Sequence, residues 1–437
     1  MIAPLIVAAL LAAQDTSLLT LETAVRRALD SQPGVAAARA SRDAAGAGVG
    51  EARAPLFPRL SASLNINRYQ LPYIVYPLHG LPPAAPMPLF DRTTSQVALS
   101  LGYTLFDFGA RTSQLRLAKA QERRAEAALD AVASALVARV ANAYLRVLTT
   151  RDLLAAQDLQ IQALEAESDR VARLQEQGKA ARVEVLRVAA EVSRARADRV
   201  GTRARLDVAE RELAQLAALP VESVRASRLV PLRLADTTVA AREQLVALAS
   251  STSPDVEQAR RGADAASAAV GVSRSTLLPT LNLSAAYLDY GRSLTFLRSE
   301  WNAALQFSWP IFTGGGRVSA IHRTEADARA ARERLRGAQQ AAEQSVDGAL
   351  ATLSAARATV DALTTAVAQS EEVERIRKLS LEVGSGTETD YLDAEATLLQ
   401  TRARLLDARH GVIAARIELA RLTGELTPDW LTRMLPE

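Results

Sequence analysis

Hydrophobic and polar residues alternate strictly in four short segments of the chain, and long stretches of helical periodicity separate them. In LSASLNINRY, Leu60, Ala62, Leu64 and Ile66 fall on one side and Ser61, Ser63, Asn65 and Asn67 on the other. SQVALSLGYTLF sets Val97, Leu99, Leu101, Tyr103 and Leu105 against Gln96, Ala98, Ser100, Gly102 and Thr104. Leu281, Leu283, Ala285 and Tyr287 oppose Asn282, Ser284 and Ala286. Trp301, Ala303, Leu305, Phe307, Trp309 and Ile311 oppose Asn302, Ala304, Gln306 and Ser308. Period two predicts strands near 59–69, 95–107, 280–290 and 301–312. Their polar faces are small and uncharged, and Tyr103, Trp301 and Trp309 stand toward the margins, as in strands of a transmembrane barrel. On that reading Leu99, Leu101, Tyr103, Leu305, Phe307 and Trp309 face lipid. A soluble antiparallel sheet with one wet face would alternate in the same way.

Between the strands the period changes to that of helices. Arg111 to Gln177 is 67 residues with neither proline nor glycine, and as one helix it would extend ~100 Å. Leu129, Val132, Leu136, Val140, Tyr144 and Leu148 recur at steps of three and four, a seam that must face other helices. The mean step is close to the helix's own period, so a bundle of nearly straight helices is expected. Helices are predicted over 111–177, 182–219, 317–383 and 388–424. No globular core needs helices of this length.

The chain is also a duplication. QPGVAAARASRDAAGAGVGEARAPLFP (32–58) aligns without a gap on SPDVEQARRGADAASAAVGVSRSTLLP (253–279), with 13 of 27 positions identical at an offset of 221. Farther on the offset is 206: Phe106 matches Phe312, Gly109 matches Gly315, Gly178 matches Gly384 and Leu186 matches Leu392. The change falls in the proline-rich QLPYIVYPLHGLPPAAPMPLF, whose counterpart is the short GRSLTFLRSE. A segment that varies while its flanks hold register is an exposed loop. Each repeat, 14–220 and 221–437, therefore reads helix, strand, loop, strand, long helix, turn, long helix. The fold class is mainly α with a transmembrane β part.

Glycine punctuates this plan. Gly109 and Gly315 mark a strand turning into a helix, which explains both Asp107-Phe108-Gly109 and the TGGGR at 313–317. The first lacks the other parts of a kinase site, and the second lacks the Gly-Lys-Ser/Thr ending of a phosphate loop. Gly178 and Gly384 suit left-handed positions that end the long helices. Thr387 with Asp390 resembles an N-cap with an acidic first turn, whereas Ala181 replaces that threonine in the first repeat. Gly201 and Gly411 lie in the returning helices, where close backbone packing is expected.

Composition narrows the function. The 437 residues carry 52 basic and 49 acidic side chains, a net charge of +3, which argues against a nucleic-acid stripe. There is no cysteine, and the three histidines, His79, His322 and His410, have no ligand spacing, so no metal or other cofactor is expected. No cluster of acid, base or nucleophile suggests an enzyme. MIAPLIVAALLAAQD has the length of a signal h-region and is too short to span a bilayer, so 1–13 reads as a signal peptide cleaved near Ala13.

From about Leu19 to Gly424 the chain resembles the TolC-type outer-membrane efflux proteins. The resemblance rests on the duplicated layout, the strand entries LFPRLSAS and LLPTLNLS, the strand exits LFDFGAR and IFTGGGR, and the hairpin tips. It implies a homotrimer whose four strands per chain join into a twelve-stranded barrel in outer-membrane lipid, continued by a periplasmic α-helical barrel. It also implies a passive exit duct for an efflux pump or type I secretion system, docked to a periplasmic adaptor and an inner-membrane transporter. Gly178, Val185, Leu186, Gly384, Thr387, Asp390 and Leu392 would then form the docking tips. The repeat equivalents Glu165 and Glu371, with Asp169 and Glu374 nearby, are candidates for the gate. A soluble periplasmic coiled-coil structural or adaptor protein remains the alternative. The substrate is not legible.

Overall fold

A computed structural model describes residues 18–68, 93–235, 238–291 and 297–435. The expected signal segment and the proline-rich loop lie outside them. In the first repeat β1 (Leu18–Leu19), α1 (Leu21–Ser31), α2 (Pro33–Arg53), β2 (Arg59–Arg68), β3 (Thr93–Phe106), α3 (Ala110–Glu176) and α4 (Arg182–Leu216) follow one another, and the short α5 (Val221–Ala226) leads out. The second repeats the order with β4 (Arg228–Leu229), α6 (Arg242–Thr252), α7 (Pro254–Ser275), β5 (Thr280–Gly291), β6 (Leu297–Ser308), α8 (Gly316–Glu382) and α9 (Glu388–Leu422), then α10 (Pro428–Met434).

Where one leading helix per repeat was expected there are two, and proline is the reason. Pro33 and Pro254 each start a helix, and the residues before them, Gln32 and Ser253, are driven to extended backbone with ψ of 128° and 133°. The Gln32 side chain then becomes useful. Its amide donates to the carbonyls of Gln215 and Leu216 in the last turn of α4.

The chain divides into two compact units. One, residues 41–126 and 259–334, holds the sheet. Its strands run antiparallel in the order β2-β3-β5-β6, so the two repeats meet at β3 and β5 while β2 and β6 are open edges. β6 stops at Ser308, four residues before the expected end at 312, because Pro310 has no N–H for the ladder. Trp309 therefore lies outside the strand, and its indole donates to the Leu277 carbonyl.

The other unit, residues 1–40, 127–258 and 335–437, is helical. One core joins α1, the middle of α3, the end of α4, α9 and α10. A second joins α6, α8 and α9. Of the expected seam, Leu136, Val140, Tyr144 and Leu148 are buried and Leu129 packs against them, but Val132 is exposed. Tyr144 is completely buried. Its hydroxyl lies within bonding distance of the Leu19 and Val230 carbonyls and accepts from the Val230 amide, tying β1 and the residue after β4 to α3.

Two glycine expectations divide here. Nothing stands within 4 Å of a Cβ built on Gly201 or Gly411, so close backbone packing does not explain them. Gly424 is the true close approach. It has φ of +74°, and a Cβ there would sit 2.3 Å from the Thr252 carbonyl oxygen. Gly424→Ala is expected to cost about 2 kcal/mol or more in thermal or urea unfolding.

Candidate functional site

Three places hold the candidate residues: the sheet face, the turns from strand to helix, and the hairpin tips. On the sheet, register gathers the apolar positions into rows. Ala62, Leu99, Tyr287 and Trp301 lie across from one another, followed by Leu60, Leu101, Ala285 and Ala303. Next come Tyr103, Leu283 and Leu305, then Phe106, Leu281 and Phe307, with a bulge between Thr104 and Phe106. Every one of these projects from the same face, because side chains alternate along a strand. The opposite face carries Ser61, Ser100, Ala286 and Asn302, then Gly102, Ser284 and Ala304, then Thr104, Asn282 and Gln306. Beyond Trp301 the face stays apolar on β2 and β3, at Leu64 and Val97, and turns polar on β5 and β6, at Asp289 and Ser299. No described residue of this unit covers it: Leu60, Leu305 and Phe307 are all more than half exposed.

At the exit of β3, Asp107 takes up three donors. Its carboxylate accepts from the amides of Gly109 and Arg111 and from the Arg111 side chain at 2.7 Å. Burial alone would raise its pKa, but these partners hold it below the ordinary carboxylate range. The aspartate is thus a cap on the first turn of α3. Phe108 and Gly109 supply left-handed backbone, at φ of 50° and 90°. Arg111 also donates to the Pro55 carbonyl at the end of the preceding helical segment. Arg317, its repeat equivalent, donates to the matching Thr276 carbonyl. Sequence reading passed over these two arginines, although both strand exits share them.

At the tips, α3 and α8 end in the same way. The amides of Lys179 and Ser385 bond the carbonyls of Leu174 and Ser380, five residues back, across left-handed Gly178 and Gly384. Thr387 accepts from the Asp390 amide, whereas Ala181 leaves α4 without a side-chain cap. Gly178, Gly384 and Thr387 are exposed, Asp390 is half-buried and within 3.8 Å of Arg377, and Leu186 is exposed. Leu392 is not available to a partner. It is 5% exposed and belongs to a tip core with Ile161, Val171 and Val188, against which Val185 packs. The apolar side chains that do stand out, besides Leu186, are Val183, Leu379 and Val383, which sequence reading did not select.

The gate candidates separate into two pairs. Glu165 accepts from Arg196 at 2.6 Å, and Glu371 from Arg402 at 2.8 Å. Both bonds span 31 residues, and both tie a long helix to the returning one at equivalent positions. Arg375, one turn beyond Glu371, pairs with Glu372 instead. Among the described residues Asp169 and Glu374 form no ion pair. Glu374 adds to burial in raising the pKa of Glu395. No group of acids and histidines able to hold a metal ion occurs among the described residues.

An exposed apolar sheet face joined to long helical hairpins defines an outer-membrane protein with a periplasmic extension. The family model for outer membrane efflux proteins matches residues 24–219 and 245–425, and the chain belongs to that family. It is 30% identical to protein CyaE of Bordetella pertussis over 94% of this chain and 86% of that one. It is 26% identical to the outer membrane protein TolC of Salmonella enteritidis, over 91% and 80%. The crystal structure of the outer membrane protein VceC of Vibrio cholerae superposes with a TM-score of 0.78 at 20% identity, over 92% of this chain and 96% of that one. The family is one of channels, and this chain is an outer-membrane channel protein that extends into the periplasm.

Proposed function

We propose that three copies of the chain close into one duct. The observation that carries this is a four-stranded sheet with an uncovered apolar face and two open edges. An open edge is not tolerated in lipid, because unpaired backbone groups find no water there. Three sheets joined edge to edge give the twelve strands of a barrel, with the apolar rows toward lipid and the small polar face toward the lumen. Trp301 and Phe307 then mark two aromatic levels six residues apart, ~20 Å along the strand and about 15 Å along the normal of a tilted barrel, so both fit within its apolar band. The protein would serve as the passive exit of an efflux pump or type I secretion system, with its hairpins meeting a periplasmic adaptor and an inner-membrane transporter. Outer-membrane fractionation and a trimer that survives mild detergent test this. A chain that stays monomeric or dimeric in the outer-membrane fraction would overturn closure by three copies.

The tips are the proposed docking surface, through Gly178, Leu186, Gly384, Thr387 and Asp390, joined by exposed Val183 and Val383. A Cβ at Gly384 would meet open space, so substitution there strains only the left-handed backbone. Gly384→Leu is therefore expected to leave trimer and membrane insertion intact while abolishing export. Loss of the trimer would make the glycine merely structural.

The paired glutamates are proposed to zip each hairpin, leaving Asp169 and Glu374 to set the charge of a lumen at this level. Asp169→Asn with Glu374→Gln should then lower cation preference in single-channel recordings, whereas Glu165→Gln with Glu371→Gln should leave it unchanged. The reverse result would put the arginine-paired glutamates at the constriction.

A further inference from the structure

Equivalent helices of the two repeats have unequal neighbours, and the difference follows a rule. Within the chain α3 of the first repeat packs on α9 of the second. The Thr149 hydroxyl lies within hydrogen-bond distance of Nδ1 of His410, and Leu392 of α9 is buried in the tip core with Ile161 and Val171 of α3. As the residue number rises along α3 it falls along α9, so the two run antiparallel. The offset of 206 between the repeats carries α3 onto α8 and α9 onto α4. The contact equivalent to α3 on α9 is therefore α8 on α4, and its residues stand open. Leu186, Val200 and Ala204 match Leu392, Leu406 and His410, and all three are exposed where their counterparts are buried or half-buried. Ala351 is exposed where Leu145 is buried, and Ala355 is exposed where Thr149 meets the histidine.

Both open faces are apolar over a long reach. On α4, Val183, Leu186, Ala190, Ala197, Val200 and Ala204 fall at the steps of a seven-residue repeat, and every one is exposed. Val188, Val192 and Ala195, on the opposite side, fill the tip core. α4 is thus apolar on two sides and covered on one. On α8 the face begins with Ala351, Ala355, Ala358 and Ala362 and continues at the same spacing in the bulkier Ile376, Leu379 and Val383, all exposed. Glu371, which bonds Arg402 of α9, lies about 140° round the helix from Ile376. Apolar positions held to a seven-residue repeat are what a helix presents to another helix. Both faces are exposed in the single chain, so they do not meet within it.

We propose that this face of α8 packs antiparallel on the α4 face of a neighbouring copy, with Ala355 opposite Ala204, Ala358 opposite Gly201 and Ala362 opposite Ala197. The register is carried over from Thr149 and His410 by the repeat offset. The further pairs follow because each step down one antiparallel helix is a step up the other. Alanine and glycine let two helices approach at the short end of the usual 8–10 Å. Gly201 has open space around it in its own chain, as a residue awaiting a helix from another copy would. The faces are unlike, so the contact is head to tail and closes into a ring rather than a twofold dimer. Val183 and Leu186 then join the docking surface from the joint between copies. The proposal rests on closure by three copies and adds which helices meet and in what register.

The test is disulfide cross-linking in outer membranes, which the absence of native cysteine makes unambiguous. Oxidised Ala355→Cys with Ala204→Cys should give a ladder ending in a covalent trimer on non-reducing gels, and each single variant should give none. Ala362→Cys with Ala197→Cys, a second pair in register, should repeat the ladder if the first pair fails to fold. Ala351→Cys with Ala197→Cys stands about 16 Å out of register and should stay unlinked, because a disulfide needs Cβ atoms about 4 Å apart. Light scattering of the parent in mild detergent reads the trimer separately. A trimer whose in-register pairs give no ladder would overturn this joint and leave closure by three copies standing. An equal ladder from the out-of-register pair would overturn the register, and a parent that is no trimer would overturn both readings.

Discussion

Leu305→Arg is expected to cost about 2 to 4 kcal/mol of stability in a bilayer, while Ala304→Arg, one position away, costs little. Leu305 lies in register with Leu283 and Tyr103, between the row of Trp301 and the row of Phe307. It therefore falls near the middle of the proposed apolar band, where a guanidinium has neither water nor headgroup within reach. Ala304 projects from the opposite, polar face. Leu99 shares a row with Tyr287 and Trp301, farther from the middle of the band, so Leu99→Arg should cost less than Leu305→Arg. Urea titration of the protein refolded into lipid vesicles measures all three. Equal tolerance of arginine at positions 304 and 305 would refute the facing of the strands.

The second large effect is expected in the helical unit. Tyr144→Ala should destabilise it by about 3 to 5 kcal/mol, since a fully buried aromatic ring is removed. Tyr144→Phe separates the ring from its hydroxyl. It keeps the packing but removes the 2.8 Å acceptor of the Val230 amide, which retains a 3.4 Å bond to the Leu19 carbonyl, so the cost is that of one hydrogen bond, about 0.5 to 1.5 kcal/mol. A phenylalanine variant as stable as the parent would mean that the β1-β4 pairing stands without this tie. Chemical denaturation followed by far-UV circular dichroism reads both.

Much of the architecture was legible because it rests on local rules. Alternation at period two and the long stretches free of proline follow from backbone geometry, and duplication lets each repeat check the other. What went astray was decided by neighbours. Val132 fits the periodicity of the α3 seam yet is exposed, because no partner covers that turn. Leu392 looked like a tip surface residue by its match to Leu186, but the two differ in fate: Leu392 is buried in the tip core and Leu186 is exposed. The repeats are equal in sequence position and unequal in surroundings.

The gate acids show the same division. Glu165 and Glu371 could be matched by arithmetic, and the charges four residues on along the helix were Asp169 and Arg375. The partners they take, Arg196 and Arg402, are 31 residues away on the returning helices. The sequence by itself determined the four long strands and four long helices, their duplication, the turns at Gly109, Gly178, Gly315 and Gly384, and most of the apolar face of the strands. These depend on periodicity and on left-handed backbone that glycine adopts at little cost. Only the tertiary structure decided which charges neutralise one another and which apolar residues stay exposed. Those outcomes depend on side chains meeting across helices far apart in the chain, a distance that no local pattern encodes.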